Sequence, residues 1–156
     1  MRIQVIAIGH RMPDWVESGW HEFARRMPRE CVLTLTELAP ARRGKSSGGS
    51  REVEEEGRRM LAAIPDGSHV VALEVEGGAW STPKLSQRLD RWLHGGRDVA
   101  LLIGGADGLA PDCRARADER WSLSPLTFPH MLVRVIVAEQ LYRAWSLLNN
   151  HPYHRE

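Results

Sequence analysis

Cysteine is nearly missing: Cys31 and Cys113 are the only two in 156 residues, far apart and in no C-x-x-C pair. That scarcity excludes a disulfide framework and a zinc knuckle, and it fits a reducing, cytoplasmic setting. An excess of one charge is missing too. Twenty-one basic residues against 20 acidic ones leave a formal net charge of +1, which excludes a polycationic coat for nucleic acid and any strong overall steering field. Contact with RNA must then come from a local patch or from a site selected by shape. No apolar run approaches the roughly 20 residues of a membrane helix, because Arg134 and Glu139 interrupt the best candidate. The opening MRIQVIAIGHRMPDW holds no charged-then-apolar leader with a small-residue cleavage site. A soluble protein with no membrane partner is the expectation.

What is present is enough apolar material for a proper core, 42% of the residues, at a length natural for one domain covering 1–156 with no linker. Short apolar runs alternate with stretches of helical period. The runs are IQVIAIG from Ile3, CVLTLTEL from Cys31, HVVALEV from His69, DVALLIGG from Asp98 and the weaker RWSLS from Arg120. Helical spacing covers Pro13 to Met27, Arg51 to Ile64, Thr82 to His94, a short piece from Pro111 to Ala117, and a long segment from His130 to Leu148. This alternation predicts an α/β fold, a mostly parallel sheet flanked by helices, and the unbroken apolarity of HVVALEV and VALLIG predicts strands buried on both faces. Thr82 before Pro83 reads as an N-cap. In the last helix Leu132, Val133, Ile136, Val137, Leu141, Trp145 and Leu148 form an apolar stripe that leaves out Arg134, Glu139, Gln140 and Arg143. That helix is long enough to cross the sheet and offer a face to a second subunit.

Three places carry chemical potential. The cluster IGGADGL, Ile103 to Leu109, follows the strongest strand, where open parallel sheets bind ligands. Its spacing is neither the dinucleotide fingerprint nor a phosphate-binding lysine loop, so a tight turn and a ligand loop both fit. The segment WSLSPLTFPH has two prolines within five residues, and its extended backbone leaves polar groups that either a ligand edge or water can satisfy. The ending NNHPYHRE packs His151, Tyr153, His154 and Arg155 together. No third ligand completes a metal site around the two histidines, which leaves an exposed polar end or an RNA-facing patch in which Tyr153 stacks on a base and His154 and Arg155 meet phosphate or a base edge. The loop PARRGKSSGGS, Pro40 to Ser50, fits a solvated connector or a basic arm touching phosphate. Ser122 and Ser124 lack the setting of an activated nucleophile, and neither cysteine shows a local activation signature.

Taken together, LLIGGADGL, SLSPLTFPHMLVRVIVAEQLYRAW and the terminal NNHPYHRE closely resemble the bacterial ribosomal large subunit methyltransferase H family of the SPOUT class. VIAIGHRMPDWVESG, EEGRRMLAAI and HVVALEVEGGAWST extend the likeness over nearly the whole chain. The resemblance implies a C-terminal deep trefoil knot, against the rule that chains do not thread loops. It also implies S-adenosylmethionine held by Leu73, by Gly104 and Gly105, and by Leu123, Ser124, Pro125, Leu126, Thr127 and Phe128. A homodimer is implied as well, in which one subunit's tail completes the other's active site. The implied reaction is methylation of N3 of a pseudouridine in 23S rRNA, without a metal. His154 is then the leading acceptor of the N3 proton, with Arg155 stabilising the imide anion and Tyr153 orienting the base. Pro125 and the glycine-rich basic loop depart from the family pattern.

The near-zero net charge favours the assembled 70S ribosome over naked RNA as substrate, since non-specific grip comes mainly from phosphate neutralisation. A non-catalytic ribosome-binding factor is the rival reading. Arg134 and Glu139 are expected to form structural or interface ion pairs.

Overall fold

Apolar runs buried on both faces build the sheet. The computed structural model describes residues 1–42 and 49–155; residues 43–48, the centre of the basic loop considered above, and residue 156 lie outside the described residues. The strands are β1 (Arg2–Ile8), β2 (Val32–Leu38), β3 (His69–Ala79), β4 (Val99–Ile103) and β5 (Glu119–Ser122). The helices are α1 (Asp14–Ala24), α2 (Ser50–Ala63), α3 (Thr82–Gly95), α4 (Pro111–Arg116) and α5 (His130–Leu148). All four strand pairings are parallel, in the order β2-β1-β4-β3-β5.

Strand β4 is buried throughout because helices cover both faces of the sheet. Val99, Leu101 and Ile103 point to one side, where they meet Leu85, Leu89 and Trp92 of α3, Trp20 of α1 and Val137, Ala138 and Leu141 of α5. Ala100 and Leu102 point to the other, against Met60 of α2 and Cys113 of α4. The period of two in a strand makes that division, and burial on both faces explains why its sequence reads as apolar without a break. Among the described residues no helix is long and apolar enough to cross a membrane.

Three local expectations change. Strand β3 runs four residues past HVVALEV, through Gly77 and Gly78, and its pairing with β5 slips between Leu73 and Gly78. A Cβ on Gly77 would stand 2.7 Å from the Trp121 nitrogen, so only glycine admits β5 this closely. The cap of α3 is Ser81, one residue before the expected Thr82: its hydroxyl accepts a hydrogen bond from the Lys84 amide at 3.3 Å, and Pro83 still falls in the first turn. Arg134, expected off the buried stripe of α5, is fully buried. Its Nη1 donates to Glu37 of β2 at 2.7 Å and its Nη2 to the Gly9 carbonyl after β1 at 2.9 Å. Charge pairing thus carries it into the interior that its polarity alone would deny it.

At the other end of the sheet Glu119 accepts hydrogen bonds from His69 and Trp92 and an ion pair from Arg88. Burial pulls its carboxyl upward, but these donors outweigh burial and hold it below the ordinary value of 4.5. A carboxylate depressed in the folded state contributes stability above its unfolded value and loses it as pH falls through the folded one. Thermal melts in acid are therefore expected to show a steeper loss of stability below about pH 4.5 in the wild type than in Glu119→Gln. Parallel acid limbs in the two proteins would refute that contribution.

Candidate active site

The carboxyl ends of β3, β4 and β5 open on a cavity of about 570 Å3. Three segments wall it: Leu73 with Glu74 to Glu76 at the end of the first straight part of β3, the glycine loop with Gly104 and Gly105, and the stretch Leu123, Ser124, Leu126, Thr127 and Phe128. His130 and Val133 at the start of α5 close one side. Of the residues expected to hold a cofactor, Pro125 alone does not line it.

Glycine is required at 104 by contact. A Cβ there would lie 2.6 Å from the carbonyl carbon of Gly108, in a tight turn where the Gly108 amide donates to the Gly105 carbonyl at 3.1 Å. The turn is therefore tight, and its backbone faces a cavity. The proline segment resolves similarly. Ser124 Oγ accepts from the Leu126 amide at 3.0 Å, closing a small turn across Pro125. The amides of Thr127 and Phe128 bond to no protein atom among the described residues. Thr127 is exposed and Phe128 half-buried, so water or a polar ligand edge can meet these amides. Leu126 and Val75 stand exposed around it.

Sequence reasoning missed the strut that spaces these walls. Glu74 receives Arg114 Nε at 3.1 Å and Arg120 Nη1 at 3.3 Å, and Arg114 Nη2 also donates to the Leu109 carbonyl at 3.2 Å. One carboxylate so links β3 to the glycine loop and to β5. The signal was a glutamate inside the apolar run HVVALEV, where a charge needs a partner.

The tail lies elsewhere. Tyr153, His154 and Arg155 do not line the cavity. They dock against the far half of α5: Tyr153 Oη donates to Glu139 Oε1 at 2.9 Å, and the Tyr153 ring packs on Tyr142 with centroids 4.7 Å apart and on Phe23 of α1 at 6.3 Å. Arg143 donates twice to Glu139 and lies over the Tyr153 ring at 5.0 Å. His151 donates its backbone amide to the Ser146 carbonyl at 2.8 Å. His154 Nδ1 is 3.5 Å from Arg143 Nη1, and Arg155 is exposed. Burial, followed by the Glu139 hydrogen bond, raises the Tyr153 phenol above its ordinary value, so it stays neutral. The i, i+4 pair Glu139–Arg143 is thus the latch of the tail and the ion pair expected of Glu139. At 1.5 Å per residue, His130 and Arg143 are about 20 Å apart along α5.

Burial pushes the Cys31 thiol up to about 11 and raises Cys113 as well, so neither is poised as a nucleophile. Among the described residues no group of three His, Cys, Asp or Glu gathers as metal ligands.

Comparison with known proteins decides the lineage. The family model described as predicted SPOUT methyltransferase matches residues 1–154. This chain belongs to the SPOUT methyltransferase family. It is 61% identical over 155 residues to the ribosomal RNA large subunit methyltransferase H of Alkalilimnicola ehrlichii, covering 99% of both chains. It is 60% identical over 156 residues to the protein of that name from Thioalkalivibrio sulfidiphilus, covering 100% of both. Among solved structures, a methylase family protein of Haemophilus influenzae aligns with a TM-score of 0.55 at 13% identity, over 99% of this chain and 70% of that one. A methyltransferase of Legionella pneumophila, solved with S-adenosylmethionine bound, aligns with a TM-score of 0.50 at 9% identity, over 93% and 66%. At such identities these neighbours speak for the fold alone.

Proposed function

We propose that this chain is an S-adenosylmethionine-dependent methyltransferase that acts on N3 of a pseudouridine in 23S rRNA of the assembled 70S ribosome. It works in the cytoplasm as a homodimer of one-domain subunits spanning 1–156. The full-length relatives named as ribosomal RNA large subunit methyltransferase H support the reaction class. The cavity supports the cofactor: glycine backbone on one wall, two unpartnered amides on another, and about 570 Å3 between them. Leu73, Gly104, Gly105 and Leu123 to Phe128 would hold it, Pro125 by shaping the turn. The cofactor supplies an electrophilic methyl group. The protein aligns the base nitrogen with it, a contribution worth on the order of 7–11 kcal/mol.

One observation carries the dimer: the chemically loaded tail and the cavity are far apart on the same α5. A tail held by Glu139 and Arg143 cannot serve its own cavity, so we assign it to the partner's. His154 takes the N3 proton there, Arg155 stabilises the imide anion and Tyr153 orients the base. The trefoil knot belongs to the same reading. It is supported by the path of the chain, which leaves edge strand β5, passes the glycine loop and starts α5 beside β1 and β2, where Arg134 is anchored.

Mass mapping of ribosomal RNA after incubation with protein and cofactor tests the reaction. A methylated pseudouridine in 23S rRNA from 70S particles, with little product on naked rRNA, is the expected result. Equal methylation of both substrates would contradict the ribosome requirement, and cofactor binding without any product would leave a docking factor. The shared site has its own test. Gly104→Ala and His154→Ala chains should each be inactive alone and regain activity when mixed and reassembled, because a mixed dimer keeps one intact site. No recovery would sink the assignment of the tail to the partner.

A further inference from the structure

A second cavity, of about 340 Å3, lies at the opposite end of the same three strands, where His69, Val99 and Glu119 begin β3, β4 and β5. Its lining is basic: Arg88, Arg91 and Arg97 face it beside Trp92, and Glu119 is its single carboxylate. The spacing of positions 88, 91, 92 and 95 puts two of these guanidiniums and the indole on one face of α3.

Glu119 does not neutralise this lining. Its oxygens are taken by Arg88 Nη1 at 2.6 Å, Trp92 Nε1 at 2.9 Å and His69 Nε2 at 2.6 Å, so it compensates one guanidinium of the three. Arg97 donates Nε and Nη2 to the Gly67 and Ser68 carbonyls at 2.9 and 2.8 Å, which fixes its fork without cancelling its charge. An Asp118 oxygen lies 4.0 Å from Arg97 and is shared with Arg116 and His69. Arg91 has no hydrogen-bond or ion-pair partner among the described residues.

A chain with a net charge of +1 thus gathers uncompensated guanidinium charge in one concave place. The unpaired planar fork of Arg91, beside the anchored guanidinium of Arg97, suits the paired oxygens of a phosphate. We propose that this cavity docks a backbone phosphodiester of ribosomal RNA, as an anchor distinct from the methyl-transfer site. The proposal rests on the rRNA reading above. The four steps from Val99 to Ile103 alone separate the two cavities by about 13 Å, so the anchored phosphate belongs to a nucleotide other than the methylated one.

Binding to 70S ribosomes over a salt series tests the anchor, with cofactor titration and saturating single-turnover rates alongside. Arg91→Ala is expected to weaken ribosome binding about five- to eightfold at about 0.1 M salt and to reduce the salt slope by about 0.7 to 0.9, as one lost phosphate contact does. Arg91→Lys, which keeps the charge, should retain the slope. Cofactor affinity and the saturating rate should match the wild type in both variants. Arg91→Ala with wild-type affinity and slope would overturn the anchor while leaving the functional reading intact. So would a variant that loses inorganic phosphate yet keeps the ribosome. A wild-type chain that neither binds nor methylates ribosomes removes the reading and the anchor together.

Discussion

Replacing His154 by alanine is expected to slow methyl transfer by about 10²- to 10⁴-fold, the usual contribution of a positioned acid or base, while cofactor affinity stays within about twofold. The Tyr153 phenol is kept neutral by burial and by its hydrogen bond to Glu139, and Arg155 is a donor only. His151 Nδ1 already accepts the Tyr153 amide at 3.2 Å, which leaves His154 as the proposed proton acceptor. A guanidinium can only donate, so the contact with Arg143 places the lone pair of His154 on Nδ1, and at 3.5 Å that contact is long enough to be exchanged for a substrate proton. Single-turnover rates beside calorimetric cofactor titration separate chemistry from binding. A variant whose single-turnover rate matches the wild type would remove His154 from the chemistry.

Arg134→Ala carries the largest expected cost in stability. The guanidinium is fully buried, bound to Glu37 and to the Gly9 carbonyl, and it ties α5 to the first two strands. Removing one member of a buried ion pair costs about 3–5 kcal/mol, because the other is left without its partner. Glu37 is one-third exposed and can regain some water, so the lower end, about 3 kcal/mol, is expected. In a chain of this size that lowers the melting temperature by about 6–12 °C. Arg134→Met, which keeps the apolar stem's volume, should lose less. Chemical denaturation of the three proteins checks the order, and an alanine variant as stable as the wild type would mean that desolvation cancels the pairing.

The elements themselves were plain in the sequence because a parallel sheet covered on both faces writes itself as unbroken apolar runs, and DVALLIGG needs no other explanation. What the runs could not show was where polar residues would be carried inside by their partners. Arg134 reads as a solvent-facing position by polarity, yet Glu37 and Gly9, 97 and 125 residues away in the chain, bring it into the core. Glu74 joins β3 to the glycine loop and to β5 through arginines that its local sequence does not announce. The α3 cap moved by one residue because Ser81 and Thr82 are both competent caps, and the hydroxyl that reached the Lys84 amide belongs to Ser81. The glycine loop and the proline segment were legible as unusual backbone, and the structure brought them to one cavity. The tail was legible as anomalous chemistry, but its latch was visible only as an i, i+4 pair among several. The basic cavity went unread because its arginines come from α3 and the loop after it, and are completed by residues that open three strands.

The anchoring of Arg134 also dictates an order of assembly. The strand made first cannot close over its final partner until the last helix has been synthesised, since the Gly9–Arg134 bond spans 125 residues. A nascent chain halted before α5 would hold β1 and β2 with an uncovered apolar face and an unmatched glutamate. Contacts between such distant parts of a chain are slow to form, so this protein is expected to complete its fold only after α5 has been made.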